Sequence, residues 1–305
     1  MPPVLGIAGA GLIGGSIALR AAELGWTVGI YEPDAAHRAA ALARLAASAA
    51  PACFAVGSFA ELAARSETLV LAAPLDATLA QLAELEGDPP PGLELVLDVA
   101  SVKAPVAVAG ARVRGFVPTH PIAGSERSGP DAARAGLFAG RAWSYDPAVP
   151  EEARERAIRF ILAMGAEPVP VASVEHDRLI ALTSHLPQVT SVALAALLAP
   201  ALDADDGALA LCGTGIRSML RRAGSSGSGW AAVLRANAVP VAQEVRRLAA
   251  ILTGVADALE NDAPQELERR FAEAAIVAAR LAGIVPVTDA VTSFHTNANR
   301  IPDER

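Results

Sequence analysis

A short apolar run, Val4–Ala8, passes directly into Gly9-Ala10-Gly11-Leu12-Ile13-Gly14, and the residues that follow keep apolar positions at helical spacing to about Leu24. Strand, glycine turn and helix in that order leave few folds open to the start of the chain. Gly9 permits the tight turn, Gly11 leaves the backbone open to a pyrophosphate, and Gly14 lets helix and strand pack closely. Phosphates held there would meet the free amides of the helix N-terminus, which Leu12 and Ile13 begin. A second strand-like run, Thr27–Tyr31, ends at Glu32, whose carboxylate is placed to accept hydrogen bonds from an adenosine ribose. That favours NAD; NADP is the lesser alternative, because His37 and Arg38 stand close enough to meet a 2′-phosphate. The glycines alone would also suit a flexible turn, but the strand before, the helix after and the acid at the next strand end make them a dinucleotide site.

Alternation continues with a helix over about residues 34–49, a strand over 69–73 ending at Pro74, a helix at Leu75–Leu85, a proline-rich loop, and a strand over 93–97 closed by Asp98. This is the grammar of a doubly wound α/β sheet of Rossmann type, whose ligands sit outside the carboxyl ends of the strands. Pro74, at such an end, joins Gly9, Gly11, Leu12, Ile13, Gly14 and Glu32 as a candidate cofactor contact. Two other strand ends carry unusual polar content: residues 98–103, Asp-Val-Ala-Ser-Val-Lys, and residues 119–126, Thr-His-Pro-Ile-Ala-Gly-Ser-Glu. Pro121 stiffens the backbone around His120, and histidine is the side chain best suited to exchanging a proton near neutral pH. Both segments are expected to face one crevice.

From about Pro150 the pattern changes. A charged amphipathic helix is expected over residues 151–164 and a last strand over 167–171. Beyond these the chain reads as helical: residues 173–199 broken at Pro187, 230–252 after a glycine-serine loop, and 264–281. The expected organisation is a dinucleotide-binding domain over residues 1–171, an all-helical substrate and dimerisation domain over 172–284, and a polar tail over 285–305. Hydrophobic residues reach 52% against 19% charged, which calls for well-covered helices and a subunit interface, so a homodimer is expected. The run over residues 186–202 is interrupted by Pro187, Gln188, Thr190, Ser191 and Pro200, and is read as a buried helix rather than a membrane span. A net charge of −8 without a dense basic cluster argues against nucleic acid. Cys53 and Cys212 lack neighbours at metal-ligand or redox spacing and are expected to be buried thiols. No signal-peptide pattern opens the chain, so the cytoplasm is the expected compartment.

The glycine fingerprint, Asp98 to Lys103, His120-Pro-Ile-Ala-Gly-Ser-Glu-Arg-Ser-Gly129 and Ser184-His185-Leu186-Pro187 occur together and in order. In these motifs the chain resembles the prephenate and arogenate dehydrogenase family of tyrosine biosynthesis over about residues 4–281. The resemblance implies NAD-dependent oxidative decarboxylation, in which hydride leaves the ring carbon bearing the hydroxyl and carbon dioxide leaves the ring. It implies that His120 is the base accepting the hydroxyl proton and that Ser101 hydrogen-bonds nearby and orients it. Ser101 could equally cap the helix entered through Val102 and Lys103. Arg221, with Arg217 on the same segment, matches the position that binds the ring carboxylate; Glu126 matches a place at the pocket mouth.

His185 matches the first histidine of the family's Ser-His-Leu-Pro-His motif. Gln188 stands where the second usually lies, and Ser218 where an acid is common. Both departures bear on substrate choice. Trp230 is expected in the core. A β-hydroxyacid or 6-phosphogluconate-type dehydrogenase shares this domain plan but needs a lysine on the first helices of the second domain, and Lys103 is the chain's single lysine. A non-catalytic NAD-binding module is the remaining alternative.

Overall fold

The computed structural model describes residues 4–47, 52–87, 89–125, 127–224 and 227–283. The expected tail over 285–305 and the candidate Glu126 lie outside the described residues. The chain divides into two compact units, Met1–Glu244 and Val245–Arg305.

In the first unit, β1 (Val4–Ala8), β2 (Thr27–Tyr31), β3 (Cys53–Ala55), β4 (Thr68–Leu71), β5 (Leu95–Asp98) and β6 (Phe116–Val117) form one parallel sheet in the order β3-β2-β1-β4-β5-β6. Its central strands are nearly continuous apolar runs because both faces are covered by helices. Leu5, Ile7, Ile30, Val70 and Leu97 are essentially inaccessible to solvent. α1 (Leu12–Glu23) follows β1, α2 (Ala35–Ala47) follows β2, and α4 (Leu75–Leu85) follows β4. Strand order reverses between β1 and β4, and the crevice beyond their carboxyl ends opens there.

The sequence reading missed β3, the short α3 (Phe59–Ala64) and a second sheet. α3 is capped at its start: Ser58 Oγ accepts from the Glu61 amide at 3.2 Å, and the Glu61 carboxylate reaches back past the cap to the Gly57 amide at 3.3 Å. The strands expected over 69–73 and 93–97 sit one to two residues away, so Ala72, Ala73 and Pro74 leave the sheet and turn toward the crevice. The second sheet joins β7 (Thr119–Pro121), β8 (Ala142–Tyr145) and β9 (Glu167–Pro170), with β7 and β8 antiparallel. β8 brings the fully buried Trp143 against Phe138 and Phe160, the latter on α6 (Glu151–Ala163). This cluster fixes the platform from which β7 presents His120.

α5 (Ala104–Ala109) is not capped by Ser101. Both oxygens of Asp177 accept from its first amides, Lys103 N at 2.6 Å and Ala104 N at 2.7 Å. Asp177 lies on α7 (Ser173–Ile180), so a carboxylate distant in sequence does the work of a local cap. The break expected at Pro187 is a π turn over Ala181–His185, immediately before α8 (Leu186–Ala204), in which the Leu186 amide bonds to the Ala181 carbonyl. Pro187 has no amide to continue the ladder, and the wider turn absorbs the defect.

α8 is not buried within the chain. Only Gln188 and Ser191 along it are, and Val192 and Leu197 are largely exposed. By length and composition alone, Ser173–Ala204 could cross a membrane. α9 (Asp206–Ala210), α10 (Thr214–Leu220) and α11 (Gly227–Ala236) follow, and α11 ends at a turn on Asn237 before α12 (Ala238–Glu260). The single helix expected over 230–252 is therefore two. Cys53 and Cys212 are free thiols and half-buried rather than buried. In the second unit, α13 (Pro264–Leu281) lays Arg270 across Gly254 of α12, and the turn between the two helices places Asp262 at φ 49°.

Candidate active site

The first cavity, about 880 Å³, lies over the glycine turn and is lined by Gly9, Gly11, Tyr31, Glu32, Ala72, Ala73 and Pro74 among others. Gly9 has φ +100°, and a Cβ there would fall 2.6 Å from the Ala72 backbone. A Cβ on Gly14 would meet the Gly9 carbonyl at 1.9 Å, whereas one on Gly11 would meet nothing within 4 Å. The first and third glycines therefore serve the chain's own packing, and the second faces free space sized for a ligand. Leu12 and Ile13, expected as cofactor contacts, are partly buried against the core and do not line this cavity.

Glu32 sits at the cavity as expected, but part of its capacity is already used: Oε2 accepts from the Ala10 amide at 2.8 Å and Oε1 from the Asp34 amide at 3.1 Å. The carboxylate thus pins the glycine turn and keeps further lone pairs for a ribose. Arg38, weighed as a 2′-phosphate ligand, donates instead to the Glu32 carbonyl at 2.6 Å.

A second cavity, about 760 Å³, brings together Ser101, His120, Ser125, Ser184, His185, Gln188, Arg221, Arg222 and Trp230. Of the expected substrate residues, Arg217 is absent from it. That side chain is exposed and donates to the Cys212 carbonyl at 2.9 Å, just ahead of its own helix. Trp230, expected in the core, instead lines the cavity, edge-on to His185 with ring centroids 5.9 Å apart. The π turn places Ser184 and His185 on the cavity wall, and one turn later Gln188 donates to the Arg222 carbonyl at 2.9 Å. That bond ties the α8 start to the arginine segment.

Beneath His120 lies a buried ionic knot. Asp98 ends β5, and its Oδ1 accepts from the Thr119 amide at 2.9 Å while Thr119 Oγ1 donates back to the Asp98 carbonyl. Lys103 donates to the Asp98 carboxylate and, at 2.5 Å, to the Thr119 carbonyl. Burial pushes the Asp98 carboxyl up and the Lys103 amine down, and each holds its charge by the other's presence. Burial, then the charge of Lys103, holds the His120 imidazole well below the ordinary histidine range of 6.5. A neutral ring with a free lone pair can take a proton. His185 is shifted the same way, chiefly by burial.

His120 Nδ1 lies 3.0 Å from His176 Nε2, and His176 Nδ1 lies 2.9 Å from Asp177 Oδ1. His176, Asp177 and Asn237 were not singled out from the sequence; the one hint was an adjacent His-Asp pair on a helix preceding Ser184-His185.

Residues 17–169 match the family model of the prephenate dehydrogenase nucleotide-binding domain, and residues 172–273 that of the prephenate dehydrogenase dimerization domain. A probable prephenate dehydrogenase, NovF, of Streptomyces niveus is 37% identical over 172 residues, covering 54% of this chain and 47% of that protein. A prephenate dehydrogenase of Bacillus subtilis (strain 168) is 31% identical over 201 residues, 62% of this chain and 52% of its own. The chain spans about half the length of these curated relatives. Among solved structures, Synechocystis arogenate dehydrogenase superposes with a TM-score of 0.78 at 23% identity, covering 91% of this chain and 99% of that one. Prephenate dehydrogenase from A. aeolicus, in complex with hydroxyphenyl propionate and NAD+, gives 0.77 at 18% identity over 92% and 99%. At these identities the two structures establish the shared fold.

Proposed function

Starting from a chain that belongs to the prephenate dehydrogenase family, we propose that it oxidises prephenate, arogenate or both, with loss of the ring carboxylate as carbon dioxide. The observation that carries this reading is the second cavity, where a neutral histidine shares one wall system with an arginine. The cradle at Gly9, Gly11 and Gly14, with Glu32 beside it, suits NAD, which when bound supplies the hydride acceptor.

The residues of the second cavity then divide the work. His120 takes the proton from the ring hydroxyl while hydride leaves the same carbon, so the positive charge developing there is relieved as a carbonyl forms. Ser101, on the same cavity wall, offers a hydroxyl to the reacting oxygen. Arg221 grips a substrate carboxylate through its planar fork, with His185 and Gln188 as further polar contacts. Trp230 gives the ring an apolar face.

The direct test is reduced-cofactor formation with prephenate and with arogenate, each paired with NAD and NADP. Turnover with at least one substrate and a preference for NAD is expected; no reduction with any pairing would refute the reading. In the same assay Arg221→Ala should raise KM by roughly 30- to 1,000-fold, about 2 to 4 kcal/mol for a carboxylate losing its partner, with a much smaller effect on kcat. An unchanged KM would remove Arg221 from the site. The free-enzyme profile of kcat/KM should also carry the sign of the histidine shift. Activity needs neutral His120, whose pKa is lowered from 6.5. The acid limb should therefore fall below pH 6.5, and the rate should be flat through pH 7. A limb centred above 6.5 would contradict it.

Residues 172–284 are proposed as the substrate and dimerisation domain. The exposed Val192 and Leu197 of α8, within the stretch matched by the dimerization-domain model, are faces a second copy would cover. A monomer by light scattering at micromolar concentration would refute the homodimer. As a member of a family of biosynthetic enzymes, the protein is proposed to act in the cytoplasm.

A further inference from the structure

His120 has two ring nitrogens, and only one can act as the base. Asp177 determines which. Its oxygens accept from the amides of Lys103 and Ala104, groups that only donate, so Asp177 presents acceptors to everything around it. His176 Nδ1, 2.9 Å from Oδ1, must then carry a hydrogen. A His176 ring whose single hydrogen is on Nδ1 has a bare Nε2 that accepts, which makes His120 Nδ1 at 3.0 Å the donor. The lone pair of His120 is left on Nε2. His176 and Asp177 are both buried, so water does not compete for these bonds.

The second histidine of the cavity is set the opposite way. Asn237 Nδ2 donates to the Asp177 carbonyl at 2.8 Å and lies 3.2 Å from His185 Nδ1. An amide nitrogen only donates, so His185 Nδ1 accepts and its hydrogen sits on Nε2.

We infer that His176 and Asp177 are positioning residues that hold His120 as the Nδ1–H tautomer, with Nε2 as the proton acceptor, while Asn237 holds His185 as the Nε2–H tautomer, a donor. One cavity thus offers an acceptor from His120 and a donor from His185, matched to a hydroxyl that must lose a proton and a carboxylate or carbonyl that must be held. Among the described residues, the charged and titratable groups around His120 are Lys103, His176 and His185, with Asp98 behind Lys103, Asp177 behind His176, and Arg221 and Arg222 on the wall of the same cavity. Lys103 disfavours the imidazolium, and the His176 acceptor selects which neutral form remains. The inference rests on His120 being the base, but its first test does not depend on turnover.

That test is long-range 1H–15N correlation on the full-length protein with 15N-labelled histidine, the signals assigned by single replacement of the five histidines. Neutral His120 protonated at Nδ1 and neutral His185 protonated at Nε2 are expected. His120 protonated at Nε2 would overturn the proposal. The second test replaces the acceptor. His176→Leu removes it, whereas His176→Gln keeps an amide oxygen near the position of Nε2. His176→Leu should lower kcat about 100-fold with KM changed less than about twofold, and His176→Gln should recover at least about tenfold of the loss. Equal losses in the two variants, or a His176→Leu kcat within about threefold of wild type, would overturn it. Should His176→Leu fail to fold, the wild-type spectrum still decides the tautomer. An inactive wild type would refute the proposed reaction while the relay stood or fell on that spectrum.

Discussion

His120→Asn is expected to lower kcat by about 10²- to 10⁴-fold, the usual contribution of a positioned general base, while substrate and NAD affinities change less than about threefold. The reason lies in how little else the substitution disturbs. The Asn amide can still donate toward His176 Nε2, and the backbone of β7 stays paired to β8 through Thr119, His120 and Pro121. What disappears is a neutral, desolvated lone pair facing the cavity. Without it, hydride departure leaves the hydroxyl proton in place, and the charge building on the ring carbon has no outlet except water. Steady-state kinetics, with cofactor binding followed by fluorescence quenching, separates the two effects. A variant with near-normal kcat would show that the proton leaves by another route; a lost cofactor affinity would show that the damage is structural.

The parts of this site that could be read from the sequence are those set by local physics. The strand-glycine-helix opening is legible because Gly9 is demanded by its own positive φ and Gly14 by the Gly9 carbonyl five residues before it, and because buried parallel strands are apolar throughout. His120 is legible as a stiff residue at a strand end through Pro121. The relay behind it is not, because His176 lies 56 residues away and on another element. Periodicity places α7 but carries no information on which strand end it faces. Ser101 shows the same limit in reverse: as a local helix cap it is a reasonable reading, yet Asp177 reaches the α5 amides from outside. β8 was missed because four residues give too short an alternation, although Trp143 within it anchors the platform under the site. Arg217 and Arg221 share one segment, and the family resemblance singles out Arg221 without a physical reason in the local sequence. The fold supplies that reason: Arg217 bonds back to the chain just ahead of its own helix, whereas Arg221 lines the cavity.

The ionic knot under β7 yields the other large effect. Lys103→Met should destabilise the protein by about 3 to 5 kcal/mol, because the fully buried Asp98 would lose its countercharge while keeping its own desolvation cost. The loss should be much smaller when both charges go together. In the Asp98→Asn/Lys103→Met double variant a neutral amide oxygen can still accept from the Thr119 amide, so the strand junction survives without an unpaired charge. Urea unfolding at fixed protein concentration measures both variants, and the double variant should regain at least about 1 kcal/mol over the single one. If the two were equally unstable, the knot would be acting through packing of the lysine stem rather than through its charge. Function should register the change separately. The positive charge of Lys103 is one of the influences that hold His120 neutral, so its removal should let the His120 pKa rise and carry the acid limb of kcat/KM upward. A destabilised Lys103→Met variant with an unmoved acid limb would assign the lysine to stability alone; a moved limb would mean that the group securing the strand also tunes the base it presents.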